Sequence, residues 1–144
     1  MNYRPKKVAV LGSGVMGSGI ACHLANVGMD VIMLDIVTPK LSDNDSKSNF
    51  HRNKLVNSAL QKTIKSKPAP LYHKSFSSRI KTGNFEDDFD KISESDWIIE
   101  VVVENLEIKK QIFEKVDKHR KNGSLVSSNT SSIPINLLAQ DCSN

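Results

Sequence analysis

Gly12-Ser13-Gly14-Val15-Met16-Gly17 sets three glycines at the spacing that a pyrophosphate-binding turn requires. The first permits a tight turn out of a strand. The second lets a pyrophosphate approach the backbone, and the third lets the following helix pack closely on that strand. A helix opening at this point presents unpaired amides and about half a positive charge to the phosphates. Asp35 stands 23 residues after Gly12. A carboxylate there can accept hydrogen bonds from both ribose hydroxyls and would repel a 2′-phosphate. Ile36 and Val37 follow it, with no adjacent arginine. The pattern points to NAD as cofactor rather than NADP. It makes Gly12, Ser13, Gly14, Val15, Met16, Gly17 and Asp35 the candidate cofactor-binding residues.

These residues work only if particular elements hold them. Val8 to Leu11 is a short apolar run of the kind found in strands buried on both faces. Gly17, Ile20, Ala21, Leu24 and Ala25 then fall on one helical stripe, and Gly28 suits a left-handed C-cap. Val31 to Leu34 is a second apolar strand, closed by Asp35. Strand, glycine turn, helix and strand make a βαβ unit with a right-handed crossover. Residues 36–78 carry no strand signal, the part through Ser48 reads as irregular, and 36–79 as a whole reads as a basic, largely helical excursion. Leu55, Val56, Ala59, Leu60 and Ile64 form its stripe, and Pro68 and Pro70 end it. Ile80 to Thr82 is a candidate edge strand, with Phe85 and Phe89 anchoring the acidic loop beyond it. Trp97 to Val103 reads as a strand rich in β-branched residues. Asn105 is the expected N-cap of a helix running toward Gly123, and Leu125 to Ser128 is the next strand. Ser131 or Ser132 is expected to cap a last short helix with Pro134 in its first turn. Alternating strands and helices predict an α/β fold: a Rossmann-type doubly wound parallel sheet, truncated before its last strands, over residues 1–144.

Composition bounds the alternatives. The chain has 144 residues and a net charge of +4, unevenly spread. Ten Lys/Arg face two acids between Lys40 and Lys81, while eight acids face one lysine between Glu86 and Glu104. A basic block beside an acidic one suggests separate surfaces with separate jobs, not a nucleic-acid-binding protein. No apolar run approaches the roughly 18 residues that span a bilayer, so no membrane partner is expected. The polar start, Met1 to Lys7, does not read as a signal peptide. Cys22 and Cys142 lie far apart, without metal or redox spacing, which fits a reduced cytoplasmic setting and no metal.

Three segments together carry a family resemblance: Gly12 to Ala21 (GSGVMGSGIA), Glu100 to Lys109 (EVVVENLEIK) and Ser128 to Ser132 (SNTSS). They resemble the L-3-hydroxyacyl-CoA dehydrogenases of fatty-acid β-oxidation. Leu41 to Arg79 and Thr82 to Asp88 (TGNFEDD) are most similar to the large bacterial form, in which an enoyl-CoA hydratase domain is fused. The resemblance implies that Asp35 binds ribose and that Glu104 and Lys109 bind cofactor near the nicotinamide. It implies that Ser131 contacts nicotinamide and substrate in a supporting catalytic role. The implied reaction is reversible hydride transfer from L-3-hydroxyacyl-CoA to NAD in a homo-oligomeric parent enzyme. The family's catalytic histidine, oriented by a glutamate, stands in an HFFNP-like segment expected beyond Asn144, as is the helical domain that closes the cleft. His23, His51, His73 and His119 do not replace it, so the chain alone is expected to be inactive. The basic excursion is expected to face coenzyme A, a polyanion, with Lys54, Lys62 and Lys65 as candidates. A stand-alone NAD-binding or structural module is the alternative reading.

Overall fold

The computed structural model describes residues 4–140 and 142; both expected domain limits, 1 and 144, lie outside the described residues. Five parallel strands form one sheet in the order β3-β2-β1-β4-β5. They are β1 (Lys7–Leu11), β2 (Asp30–Asp35), β3 (Ile80–Asn84), β4 (Trp97–Glu100) and β5 (Leu125–Ser128). Both faces of the sheet are covered, as the continuous apolar runs demand. Val8, Ala9, Val10 and Leu11 are wholly buried, alternating between two cores. Val8 and Val10 meet α1 (Val15–Asn26) and α3 (Lys54–Ile64) through Ala21, Leu24, Val56 and Leu60. Ala9 and Leu11 meet α4 (Leu106–His119) and the 3-10 turn Phe89–Glu94 through Ile112, Val116, Phe89 and Ile92.

The chain runs outward from β1 through β2 to β3, then returns to lay β4 on the other side of β1. The carboxyl ends of β1 and β4 therefore diverge at a topological switch point, where open α/β sheets bind ligands. Gly28 adopts φ +90°, as a left-handed C-cap requires. The edge strand at Ile80 is present and extends to Asn84, and Phe85 and Phe89 are buried beneath the acidic loop. Among the described residues no helix is long and apolar enough to cross a membrane.

Three expectations differ in detail. The strand expected over Trp97 to Val103 ends at Glu100, because Val101 to Val103 leave the ladder and turn toward the switch point. β-Branched residues favour a pleated surface, but they do not specify where it stops. The final helix, α5 (Ile135–Ala139), has Pro134 at its N-cap position and no side-chain capping bond. The hydroxyl of Ser132, one of the two expected caps, turns to Glu104 at 2.8 Å, and Ser131 lies three residues before Pro134. The basic and acidic blocks also meet. Arg52, in α2 (Asn49–Arg52), donates from Nε to Asp87 at 2.6 Å and from Nη2 to Glu86 at 2.8 Å. That fork ties the excursion to the segment after β3.

Candidate nucleotide-binding cleft

The glycine turn is built as its spacing requires. Gly12 has φ +115°, and a Cβ there would come within 2.5 Å of the Val101 carbonyl oxygen. A side chain is thus excluded by conformation and by space. A Cβ on Gly17 would sit 2.0 Å from the Gly12 carbonyl oxygen, so this glycine permits the contact between α1 and the turn. Gly14 differs: a Cβ there meets nothing within 4 Å. The space above it is open to a ligand. The amides of Val15, Met16 and Gly17, in the first turn of α1, have no carbonyl one turn earlier to bond.

Asp35 ends β2 beside this turn. Its Oδ2 accepts from the Ser13 amide at 2.7 Å and from the Ser13 hydroxyl at 2.5 Å. Its Oδ1 accepts from the Ile36 amide at 2.7 Å. These donors fix the carboxylate in place, with lone pairs left over for a diol. Ser13 is buried, so its contribution is to hold Asp35 and the turn together. A cavity of about 610 Å³ joins Gly12 to Gly17 and Asp35 to Val101, Val102, Val103 and Glu104 at the divergence of β1 and β4. Leu55, Phe85 and Ile108 supply further apolar wall. Open space over Gly14, free helix-terminal amides, a fixed carboxylate and an apolar-walled cavity together fit a dinucleotide.

The far end of the cleft is organised by charge. Asn105 caps α4 by accepting from the Ile108 amide, as expected. Lys109 is 1% exposed, not solvated as its helix-face position alone would suggest. Its ammonium donates to Glu100 Oε1 at 2.7 Å and to the Val102 carbonyl at 3.3 Å, and it stands 3.2 Å from Glu104 Oε2. Glu104 accepts from the Thr130 hydroxyl at 2.5 Å and from the amide and hydroxyl of Ser132. The Thr130 and Ser132 hydroxyls, with lesser help from Lys109, hold the Glu104 carboxyl down at about 2. Ser131 is exposed on the loop between these two residues.

The glycine turn, Asp35 and Glu104 therefore share one cavity, whereas Lys109 stands behind Glu104 and Ser131 lies outside the lining. Sequence reasoning missed Glu100 and Ser128, whose side chains join in a hydrogen bond beneath this site. The available signal was a lone acid inside an otherwise apolar strand run. Lys54 and Lys62 in α3 and Lys65 just past its end are all exposed.

Comparison with known proteins agrees with this geometry. Residues 7–144 match the family model for the 3-hydroxyacyl-CoA dehydrogenase NAD binding domain. A probable 3-hydroxyacyl-CoA dehydrogenase of Bacillus subtilis is 53% identical over 97% of this chain, which spans 18% of that relative. A fatty acid oxidation complex subunit alpha of Psychrobacter arcticus is 34% identical over 93% of the chain and 17% of the relative. The crystal structure of (S)-3-hydroxybutyryl-CoA dehydrogenase from Ralstonia eutropha superposes with a TM-score of 0.68 at 31% identity, covering 97% of this chain and 46% of that one. The chain thus spans about one-fifth to one-half the length of these relatives. With the turn, the switch-point cleft and the family match in agreement, the chain belongs to the 3-hydroxyacyl-CoA dehydrogenase family and carries its NAD-binding domain.

Proposed function

We propose that this chain holds NAD along the cleft in a protein that oxidises L-3-hydroxyacyl-CoA to 3-oxoacyl-CoA in fatty-acid β-oxidation. The observation that carries the reading is the single cavity joining the glycine turn, Asp35 and Glu104. The amides of Val15 to Gly17 receive the pyrophosphate over Gly14. Asp35, preset by Ser13, accepts the adenosine ribose hydroxyls. Glu104 marks the nicotinamide end, with Ser131 beside it to orient the substrate hydroxyl. NAD, when bound, supplies the hydride acceptor.

A base for the hydroxyl proton is a separate need. None of the four histidines lines the cleft. His51 stands 3.1 Å from Asp45, His73 bonds Ser75, and His119 packs on Phe89. His23 borders a separate cavity with Trp97 and Ser127. In this reading residues 1–144 by themselves hold the cofactor without turnover. The exposed lysines of α3 face coenzyme A in the same reading, and the parent enzyme is a homo-oligomer.

Calorimetric titration with NADH tests the central claim. Saturable one-to-one binding is expected, weakened at least tenfold by Asp35→Ala. Absence of binding at millimolar NADH would sink it.

A further inference from the structure

Glu100 has no role in the reading above, yet it is 1% exposed and its carboxylate is fully engaged. Oε1 accepts from the Val102 amide at 2.7 Å and from Lys109 at 2.7 Å, and Oε2 accepts from the Ser128 hydroxyl. Lys109 passes the connection to Glu104, and Glu104 passes it to Thr130 and Ser132. The side-chain chain thus runs Ser128, Glu100, Lys109, Glu104, Thr130/Ser132. It touches the 128–132 loop at both ends and brackets Ser131. It also grips the 101–104 wall of the cleft at the Val102 amide and carbonyl.

We infer that Glu100 is a positioning residue for the nicotinamide end of the cleft, acting through Lys109 and Glu104 to set the loop that carries Ser131. This rests on the cofactor reading proposed above. The physical reason is a comparison. A buried carboxylate–ammonium pair is often no more stabilising than two neutral residues of the same shape, so stability alone does not account for it. What a neutral pair would lose is the directed hold on Glu104, which sits at the cleft with its side chain 39% exposed. Without the ammonium behind it, Glu104 keeps its Thr130 and Ser132 donors but loses the tie that fixes it to Glu100 and the Val102 carbonyl. The brace that fixes both walls of the nicotinamide end to the buried pair is then lost. Lys109, buried and outside the cavity lining, is the link through which Glu100 reaches Glu104.

The test uses the whole chain as Glu100→Gln and as the double variant Glu100→Gln/Lys109→Met. The single change leaves a buried ammonium unpaired and lowers stability; the double change removes both charges and restores it. Both variants are expected to bind NADH at least tenfold more weakly than the parent. Hydrogen exchange at the Thr130 and Ser132 amides should quicken at least tenfold in the double variant, with Val8 to Leu11 unchanged. Parent-like NADH affinity in the folded double variant would overturn the inference. So would a loss of protection spread evenly over the sheet. Failure of the cofactor reading looks different: the unmodified chain would bind no NADH, while the exchange at Thr130 and Ser132 still reports on Glu100.

Discussion

Gly14→Val and Gly17→Ala change two glycines three residues apart and should fail in opposite ways. A Cβ at Gly14 meets nothing within 4 Å, and its backbone, at φ −59°, suits any L-residue. As an N-cap position it tolerates valine less well than glycine, at a cost of about 1 kcal/mol or less. The valine methyls, however, fill the space above the turn where a pyrophosphate would contact the backbone. NADH affinity should fall at least a hundredfold, about 2.8 kcal/mol at 1.4 kcal/mol per tenfold. Gly17→Ala would ordinarily gain about 1 kcal/mol in a helix interior. Here its Cβ would lie 2.0 Å from the Gly12 carbonyl oxygen, against 3.4 Å for the start of ordinary contact. The obstacle is backbone, which cannot rotate aside as a side chain does. Overpacking of this kind costs typically 1–3 kcal/mol and occasionally more. At roughly 2–4 °C per kcal/mol, the melting temperature should drop by about 2–12 °C. Differential scanning fluorimetry and NADH titration on both variants separate the cases. A Gly14→Val protein with parent-like melting and parent-like affinity would refute the placement of the pyrophosphate. A Gly17→Ala protein that melts with the parent would refute the close contact between α1 and the turn.

Other outcomes follow from the same geometry. The chain should bind NAD(H) at least tenfold more tightly than NADP(H), about 1.4 kcal/mol, and Asp35→Ala should erase most of the difference; equal affinities in the parent would remove the role given to the carboxylate. Assayed at 340 nm with 3-hydroxybutyryl-CoA, the 144-residue chain should show no turnover, because a positioned base typically contributes about 10²–10⁴-fold and no histidine lines the cleft; turnover at the rate of an intact dehydrogenase would show that a base has been overlooked. Hydrogen bonds from Thr130 and Ser132 depress the Glu104 carboxyl from 4.5 to about 2, so its contribution to stability is complete above pH 4.5 and is lost as pH falls through about 2. Thermal melts across this window should flatten in Glu104→Gln; a variant that loses stability in parallel with the parent would contradict the assignment.

What could be read in advance was what local sequence determines. The glycine turn, the α1 stripe and the β1 run are short-range patterns, and each occurs where its spacing put it. Asn105 could be placed as a cap because the cap bonds only three residues ahead. The burial of Lys109 was illegible for the opposite reason. A lysine on a charged helix looks solvated until its partner is known, and Glu100 reaches it only after β4 and α4 have packed. Ser132 looked like a cap because helix caps are local, but Glu104, 28 residues away, competes for its hydroxyl and its amide. Arg52 and Asp87 are 35 residues apart, so the contact between the two charge blocks depends on β2 and β3 lying side by side. Charge composition described each block correctly and could not show that they touch.

The excursion between Asp35 and Ile80 leaves the sheet at the carboxyl end of β2 and re-enters at the amino end of the adjacent β3. Its departure and return points are therefore set by the strand pair and not by its own length. Widening such an insertion costs little, since each doubling of a flexible connection adds only about 0.6 kcal/mol. The Arg52 fork and the burial of Val56 and Leu60 supply its attachments. A lineage could lengthen, shorten or recharge this insertion while the turn at Gly12 to Gly17 stays untouched. The β2–β3 gap is thus a site of architectural variability, where new reach could evolve so long as Ile36 and Leu55 keep their places in the cleft wall.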